Sequence, residues 1–427
     1  MRSLLVRRSL TAVGIYASVV LGFLGTVVGT KELDTVAEWG AFAFVIYATS
    51  FLQSFFDLTV EEAAVKYGFR YITREDWGRL RRLFEGVLGV KLAGSLLGAL
   101  ALVVFSQFAS SSLERPLLLA AGIPLVQSLE GLGGTMLYLR SRYDLRSLLL
   151  AWGMGLRLLG IAVGARHGVS EMVAGVLAAQ VVSTLTVVAV GLAGFRRFPR
   201  HASEPLGADR REIVSFIAQS SVATGVISLR GGLAPLLLGA VAGKVQVGLL
   251  RVAQAPQSGF AALSAPARMV LLTEQTREWE KGRQSAVLRD VRRYSVVAFV
   301  ASLVVVPPLY YWMPNLISFF TKPEYVAATT AARIFVISAA VQLVVGWTKS
   351  FPVTIGRPGL RVRTHGIETA VVLPLVPILG AVWGVSGAAA AMLAGSCVFA
   401  VAWFYLFVRI RPDDSLAPVV ETGTVLP

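Results

Sequence analysis

The sequence predicts an all-α integral membrane fold: about twelve transmembrane helices in two six-helix lobes, related by a pseudo-two-fold axis along the membrane normal. Three observations predict it. The 427 residues are 55% hydrophobic and 15% charged, more apolar sequence than a soluble core absorbs, and the apolar runs recur near bilayer length. Basic side chains alternate between rich and poor loops. A basic hydrophilic stretch falls midway and divides the runs six and six.

The spans are drawn at 9–29, 37–59, 83–106, 116–138, 145–165, 171–194, 212–239, 245–270, 294–319, 329–352, 362–381 and 386–409. The first resembles a signal peptide only superficially. Its apolar run exceeds the roughly 7–15 residues of a signal core and no A-x-A site follows, so it reads as a retained membrane helix. Most spans carry no regular polar stripe, as helices surrounded by lipid and other apolar helices do not need one.

The odd connecting segments hold 29 Lys and Arg residues and the even ones 5: Lys31, Arg115, Arg166, Lys244 and Lys322. The positive-inside rule therefore places both termini in the cytoplasm. The linker 195–212 separates an N-lobe (1–204) from a C-lobe (205–411), and residues 412–427 have no helical period and read as a disordered cytoplasmic tail. Basic stretches precede the third and ninth spans, REDWGRLRRLFEGV and REWEKGRQSAVLRDVRRYSVV. Both read as interfacial helices attracted to anionic membrane lipids, and as a faint echo of the repeat.

Composition also excludes. A net charge of +15 suggests nucleic acid, but the basic residues lie in short inter-span loops, where topology accounts for them. Cys397 is alone, so no disulfide and no cysteine metal set exists within the chain. His167, His201 and His365 fall in predicted loops and take no ligand role. No Walker A, GxSxG or HExxH sequence and no long outer loop is present, so the chain does not read as an enzyme. No metal or organic cofactor is expected; a coupling proton or sodium ion stays open.

The candidate site comes from cations in apolar runs. A guanidinium in hydrocarbon costs at least roughly 2.5–3.5 kcal/mol and normally faces a wet cavity or a partner. Arg157, Arg230, Arg251 and Arg333 each sit about ten residues from an outer turn, which at 1.5 Å per residue puts all four roughly 15 Å below the surface. On the eighth span Arg251, Gln254 and Ser258 share a face, as do Gln219 and Arg230 on the seventh. Lys91 extends the basic path inward. Arg333 and Lys91 also lie near enough to helix ends to snorkel. Acids are few. Asp57, with Glu61 and Glu62, ends the second span and reads as a gate or a salt-bridge partner; Glu130 reads as a proton site or the partner of Lys91.

The stretches FLQSFFDLTVEEAAVKYGFRYITREDWGRLRRLF (51–84), SLRGGLAPLLLGAVAGKVQVGLLRVAQAPQSGFAALSAPAR (228–268) and FFTKPEYVAATTAARIF (319–335) resemble the polysaccharide-export (Wzx-like) branch of the multidrug/oligosaccharidyl-lipid/polysaccharide flippase superfamily. The resemblance covers nearly the whole chain and rests more on topology than on residue identity. It implies two six-helix lobes around a cationic cavity, working by alternating access on an isoprenoid-diphosphate-linked oligosaccharide in polysaccharide biosynthesis. Arg251 matches the family's basic position early in the eighth helix, and Asp57 the acid ending the second. Many relatives carry an acid just before the LLLG of the seventh helix, where this chain has Ala234–Pro235, which removes a transferable ion-coupling residue and introduces a kink. Partners implied are a lipid-linked glycan and polysaccharide-assembly proteins, at the inner membrane. Two rival readings stand beside it: a cation-coupled multidrug exporter, expected to carry several intramembrane carboxylates, and a non-transporting scaffold of a polysaccharide-assembly complex, in which cavity arginines would be dispensable.

Overall fold

The computed structural model describes residues 2–56, 59–263, 283–349, 351–355 and 359–410, with 275, 279 and 357 between them. All regular structure among these residues is helical, and ten helices are long and apolar enough to cross a membrane. The chain divides into two compact units, Met1–Val252 with Ile317–Ala328, and Ala253–Leu316 with Thr329–Pro427. The first unit thus carries the seventh predicted span and the start of the eighth. The predicted tail, 412–427, and Asp57 lie outside the described residues.

The first unit holds α1 (Arg2–Glu32), α2 (Val36–Phe56), α3 (Val60–Thr73), α4 (Trp77–Gln107), α5 (Ser111–Ala120), α6 (Gly122–Leu139), α7 (Tyr143–Gly164), α8 (Val169–Phe195), α9 (Asp209–Ser228) and α10 (Ala234–Ala242). Next comes α11 (Lys244–Ala253), which ends at the boundary between the units. α7 packs against α1 and α8, and α8 against α6. The stretch predicted as an interfacial helix, 74–87, is instead the first turns of α4. Glu75 in the left-handed region (φ 55°) stops the preceding helix, and the Asp76 side chain accepts from the Arg79 amide at 3.1 Å, an N-cap that starts α4 at Trp77. The amphipathic helix lying before it is α3, which begins only four residues after α2 ends.

The linker is held and not loose. Arg70 makes paired 2.9 Å bonds to Glu212, the Tyr71 hydroxyl donates to Asp209 at 2.9 Å, and Ser203 donates to Glu85 at 2.8 Å. Burial, and then the Asp209 carboxylate, push the Tyr71 hydroxyl above the ordinary tyrosine range, so it stays a neutral donor. Phe198 and Leu206 of the linker pack on a buried cluster that includes Tyr67, Tyr71 and Phe84.

The second unit holds α12 (Ala255–Leu263), most of α13 (Gln284–Phe320), α14 (Thr329–Val344) and α15 (Gly359–Arg409). Its aromatic core stacks Trp347 edge-on against Phe351 and Trp403, at 5.3 and 5.6 Å between centroids.

Two physical facts turn the twelve predicted spans into ten continuous ones. A 51-residue helix would reach about 76 Å at 1.5 Å per residue, far beyond the roughly 30 Å of hydrocarbon. α15 reverses at Gly384, whose φ of 56° and ψ of −135° are open only to glycine, so it comprises the predicted eleventh and twelfth spans joined. The predicted eighth span breaks at Gln254. Pro256 lacks the amide that would bond Val252, so the helix restarts with the proline in its first turn.

Gly384 supplies the measurement for this fold. Gly384→Val forces a β-branched residue into that backbone region, expected to cost about 1–3 kcal/mol and to lower the thermal midpoint in detergent. Gly366→Ala, with nothing within 4 Å of the added carbon, is expected to leave it unchanged. Equal midpoints for the two variants would contradict the turn.

Candidate functional site

Two of the four arginines share one neighbourhood. Gly40 on α2 and Gly248 on α11 let the helix backbones touch: a Cβ at Gly40 would lie 1.9 Å from the Lys244 carbonyl oxygen, and one at Gly248 3.0 Å from the Gly40 nitrogen. That contact fixes α11 along α2, with Val247 buried beside Ala43 and Tyr47. Three residues beyond Gly248, the Arg251 guanidinium sits 5.3 Å from the centre of the Tyr47 ring, a cation–π contact. Arg157, half-buried on α7, feels the positive charge of Arg251. Neither arginine makes an ion pair or a side-chain hydrogen bond among the described residues. Two guanidiniums from separate helices repel each other in apolar surroundings, and an anion between them would relieve that repulsion.

Arg230 is half-buried in a wide π turn, Leu229–Leu233, between α9 and α10. The turn precedes Pro235, whose missing amide a regular helix could not satisfy, and brings Gly232 against Phe51 of α2. Gln219, on exposed α9 surface, donates to Ser215 at 3.2 Å. The single face expected for Arg251, Gln254 and Ser258 is interrupted at Gln254, and the latter two belong to the second unit. There Gln254 reaches the Met392 sulfur at 3.9 Å and the Ser258 hydroxyl donates to the Gln254 carbonyl at 3.3 Å. Arg333 donates to the Tyr310 carbonyl at 2.9 Å and lies 4.7 Å over the Tyr310 ring, so its charge is anchored within its own unit.

The remaining intramembrane charges are matched. Lys91, 3% exposed, pairs with Glu61, so its charge meets a carboxylate. Glu130 does not serve Lys91: it accepts from Arg146 at 3.3 Å and from Gln180 at 2.6 Å. Gln180 also donates to Thr184 at 3.1 Å, tying α6, α7 and α8. The gating role expected of Asp57 concerns a residue outside the description.

Sequence reasoning missed a polar interior in the second unit. Gln257 donates to Gln342 at 3.3 Å, Gln342 to Ser396 at 3.1 Å, and Ser338 and Ser396 are 2.9 Å apart. It also missed Glu368, 2% exposed, bonded at 2.9 Å to His365, whose ring stacks on Phe399 at 4.7 Å. His365 is therefore no loop residue but part of α15, three residues from its acid on one helix face. That spacing was the available signal.

No protein-family model matches the sequence, and no curated protein matches it. Solved structures do match in fold. The lipid II flippase MurJ, in an inward closed conformation, aligns with a TM-score of 0.75 at 14% identity over 95% of this chain and 89% of its own. An inward-facing multidrug resistance MATE family transporter of the same superfamily aligns at 0.69 and 14%, over 95% and 97%. A superfamily transporter from Pyrococcus furiosus, described as having a binding pocket of reversed polarity that suggests a different function, aligns at 0.62 and 13%, over 93% and 95%. The chain has the fold of the multidrug/oligosaccharidyl-lipid/polysaccharide transporters, an all-α, multi-pass membrane architecture. Fold does not choose the cargo.

The Glu130 network gives a stability test. Glu130→Leu leaves Arg146, 14% exposed in its side chain, without its carboxylate, at an expected cost of about 3–5 kcal/mol. Replacing both residues by leucine is expected to recover most of the loss in detergent unfolding. A double variant no more stable than the single one would show that the pair is not coupled.

Proposed function

We propose that this chain moves an isoprenoid-diphosphate-linked oligosaccharide from the inner to the outer leaflet of the cytoplasmic membrane by alternating access. In this reading it is a transporter and not an enzyme, built from two six-helix lobes with both termini in the cytoplasm. One observation carries the reading: Arg157 and Arg251, on separate helices, make no ion pair among the described residues. A diphosphate satisfies both through charge-assisted, bidentate bonds that suit arginine better than lysine. Arg230 is assigned to the same stratum. The lipid tail stays in the bilayer. The lipid II flippase MurJ has a similar fold, so the fold is compatible with a lipid-linked cargo.

A cation-coupled multidrug exporter is the second reading, and the buried Glu368 carboxylate beside His365 is the observation in its favour, since an intramembrane acid is what such an exporter needs for a cation. It is the weaker one, because the unmatched charge in the candidate cavity is positive and would repel a cationic drug.

Arg251→Ala, Arg157→Ala and Arg230→Ala are expected to reduce surface glycan, read by lectin binding, by at least about tenfold, a transition-state or binding loss of some 1.4 kcal/mol. Membrane insertion should be unchanged by fractionation. Wild-type export in Arg251→Ala and Arg157→Ala together would overturn the anion cavity; drug resistance lost alongside unchanged glycan would favour the exporter.

A further inference from the structure

A second concentration of unmatched positive charge lies in the first unit, away from the arginines of the transport reading. Where the start of α4 meets the end of α8, a cup of about 210 Å³ opens between the two helices. Its floor is aromatic: Trp77 stacks on Phe198 at 5.5 Å, and Phe195 meets Phe198 at 5.7 Å. Its rim is cationic, formed by Arg81, Arg196 and Arg200 with the His201 ring beside them. Behind the floor, Arg140 lies 4.9 Å over the Phe198 ring.

Two of the nearby acids are already engaged. Asp76 pairs with Arg79 at 3.4 Å, and Glu85 with Arg82 at 3.4 Å and Ser203 at 2.8 Å. The Glu204 amide donates to the Gly78 carbonyl at 3.2 Å and its side chain lies against Gly78, outside the residues that line the cup. Arg81 donates to the His201 carbonyl at 2.9 Å, which orders the rim but leaves its charge uncompensated. Arg196 and Arg200 make no ion pair or side-chain hydrogen bond among the described residues.

Three guanidiniums around a small aromatic floor suit a phosphate with a short apolar attachment. The volume is below the roughly 300–1,000 Å³ of pockets that enclose a whole small molecule, so a headgroup fits and a nucleotide does not. The cup also sits where the positive-inside pattern puts the cytoplasmic ends of α4 and α8, at the depth of lipid headgroups. We infer that it is a specific site for the phosphate headgroup of an anionic phospholipid of the cytoplasmic leaflet. A lipid held there bridges the start of α4 to the linker that leads into α9.

The test is calorimetric titration of the purified full-length protein in detergent with dihexanoyl-phosphatidylglycerol, dihexanoyl-phosphatidylcholine and inorganic phosphate. Phosphatidylglycerol is expected to bind saturably and at least about tenfold more tightly than either other probe. The double variant Arg196→Gln/Arg200→Gln should weaken it about tenfold or more, while keeping the Arg81 bond and the thermal midpoint. Arg197→Gln/Arg210→Gln, which removes the same charge outside the cup, should change affinity by less than about twofold. Equal binding of the two lipids, or equal loss in both double variants, would overturn the site in favour of diffuse surface charge. Inorganic phosphate binding as tightly as phosphatidylglycerol would assign the cup to a soluble phosphate and overturn the lipid.

Discussion

A guanidinium removed from water needs a carboxylate, a hydrogen-bonding backbone or a bound anion, and several intramembrane cations among the described residues have one of the first two. Lys91 has Glu61, Arg146 has Glu130, and Arg333 has the Tyr310 carbonyl. Arg157 and Arg251 have each other. Two cations without a carboxylate raise the energy of their surroundings, and in the proposed reading a bound anion lowers it. The fold tolerates this because the cost is met elsewhere, in close helix packing and matched networks.

The backbone around these arginines is arranged for irregularity. Pro235 and Pro256 bracket the α10–α11 hairpin, the first preceded by the π turn that carries Arg230 and the second ending the helix that carries Arg251. Broken helices persist at membrane depth only where protein or a water-filled cavity satisfies the freed backbone groups. The Gly40–Gly248 contact then fixes the hairpin against α2 at the one register that lays Arg251 on Tyr47. Rigidity on one side and breaks on the other put the charge in a defined place.

Much of this architecture was legible in the chain. Alternating loop charge placed the spans, because desolvation of arginine and lysine dominates which segments stay in hydrocarbon, and that depends little on packing. The arginines within apolar runs stood out for the same reason. What depends on packing was not. The Glu130–Arg146 pair joins two residues sixteen apart on separate helices, and only the packing of those helices reveals it. The Asp76 cap moved the start of α4 outward and turned an expected surface helix into part of a membrane one. Glu368 and His365 were overlooked because the histidine was placed in a loop, so their three-residue spacing on a helix face went unused. Pro256 was visible as a membrane proline, yet its effect in cutting Gln254 and Ser258 off from the helix of Arg251 follows only from where the helix restarts.

The most direct test of the central claim concerns the charge that the unaltered protein prefers. Native mass spectrometry of the purified full-length chain, loaded with equimolar polyprenyl diphosphate, polyprenyl monophosphate and polyprenol, reads that preference in one sample. Two guanidiniums without a carboxylate predict retention in that order, the diphosphate exceeding the monophosphate by about tenfold or more. Equal retention of the three lipids would contradict the account, since it would mean that the tail is recognised and the phosphate is not.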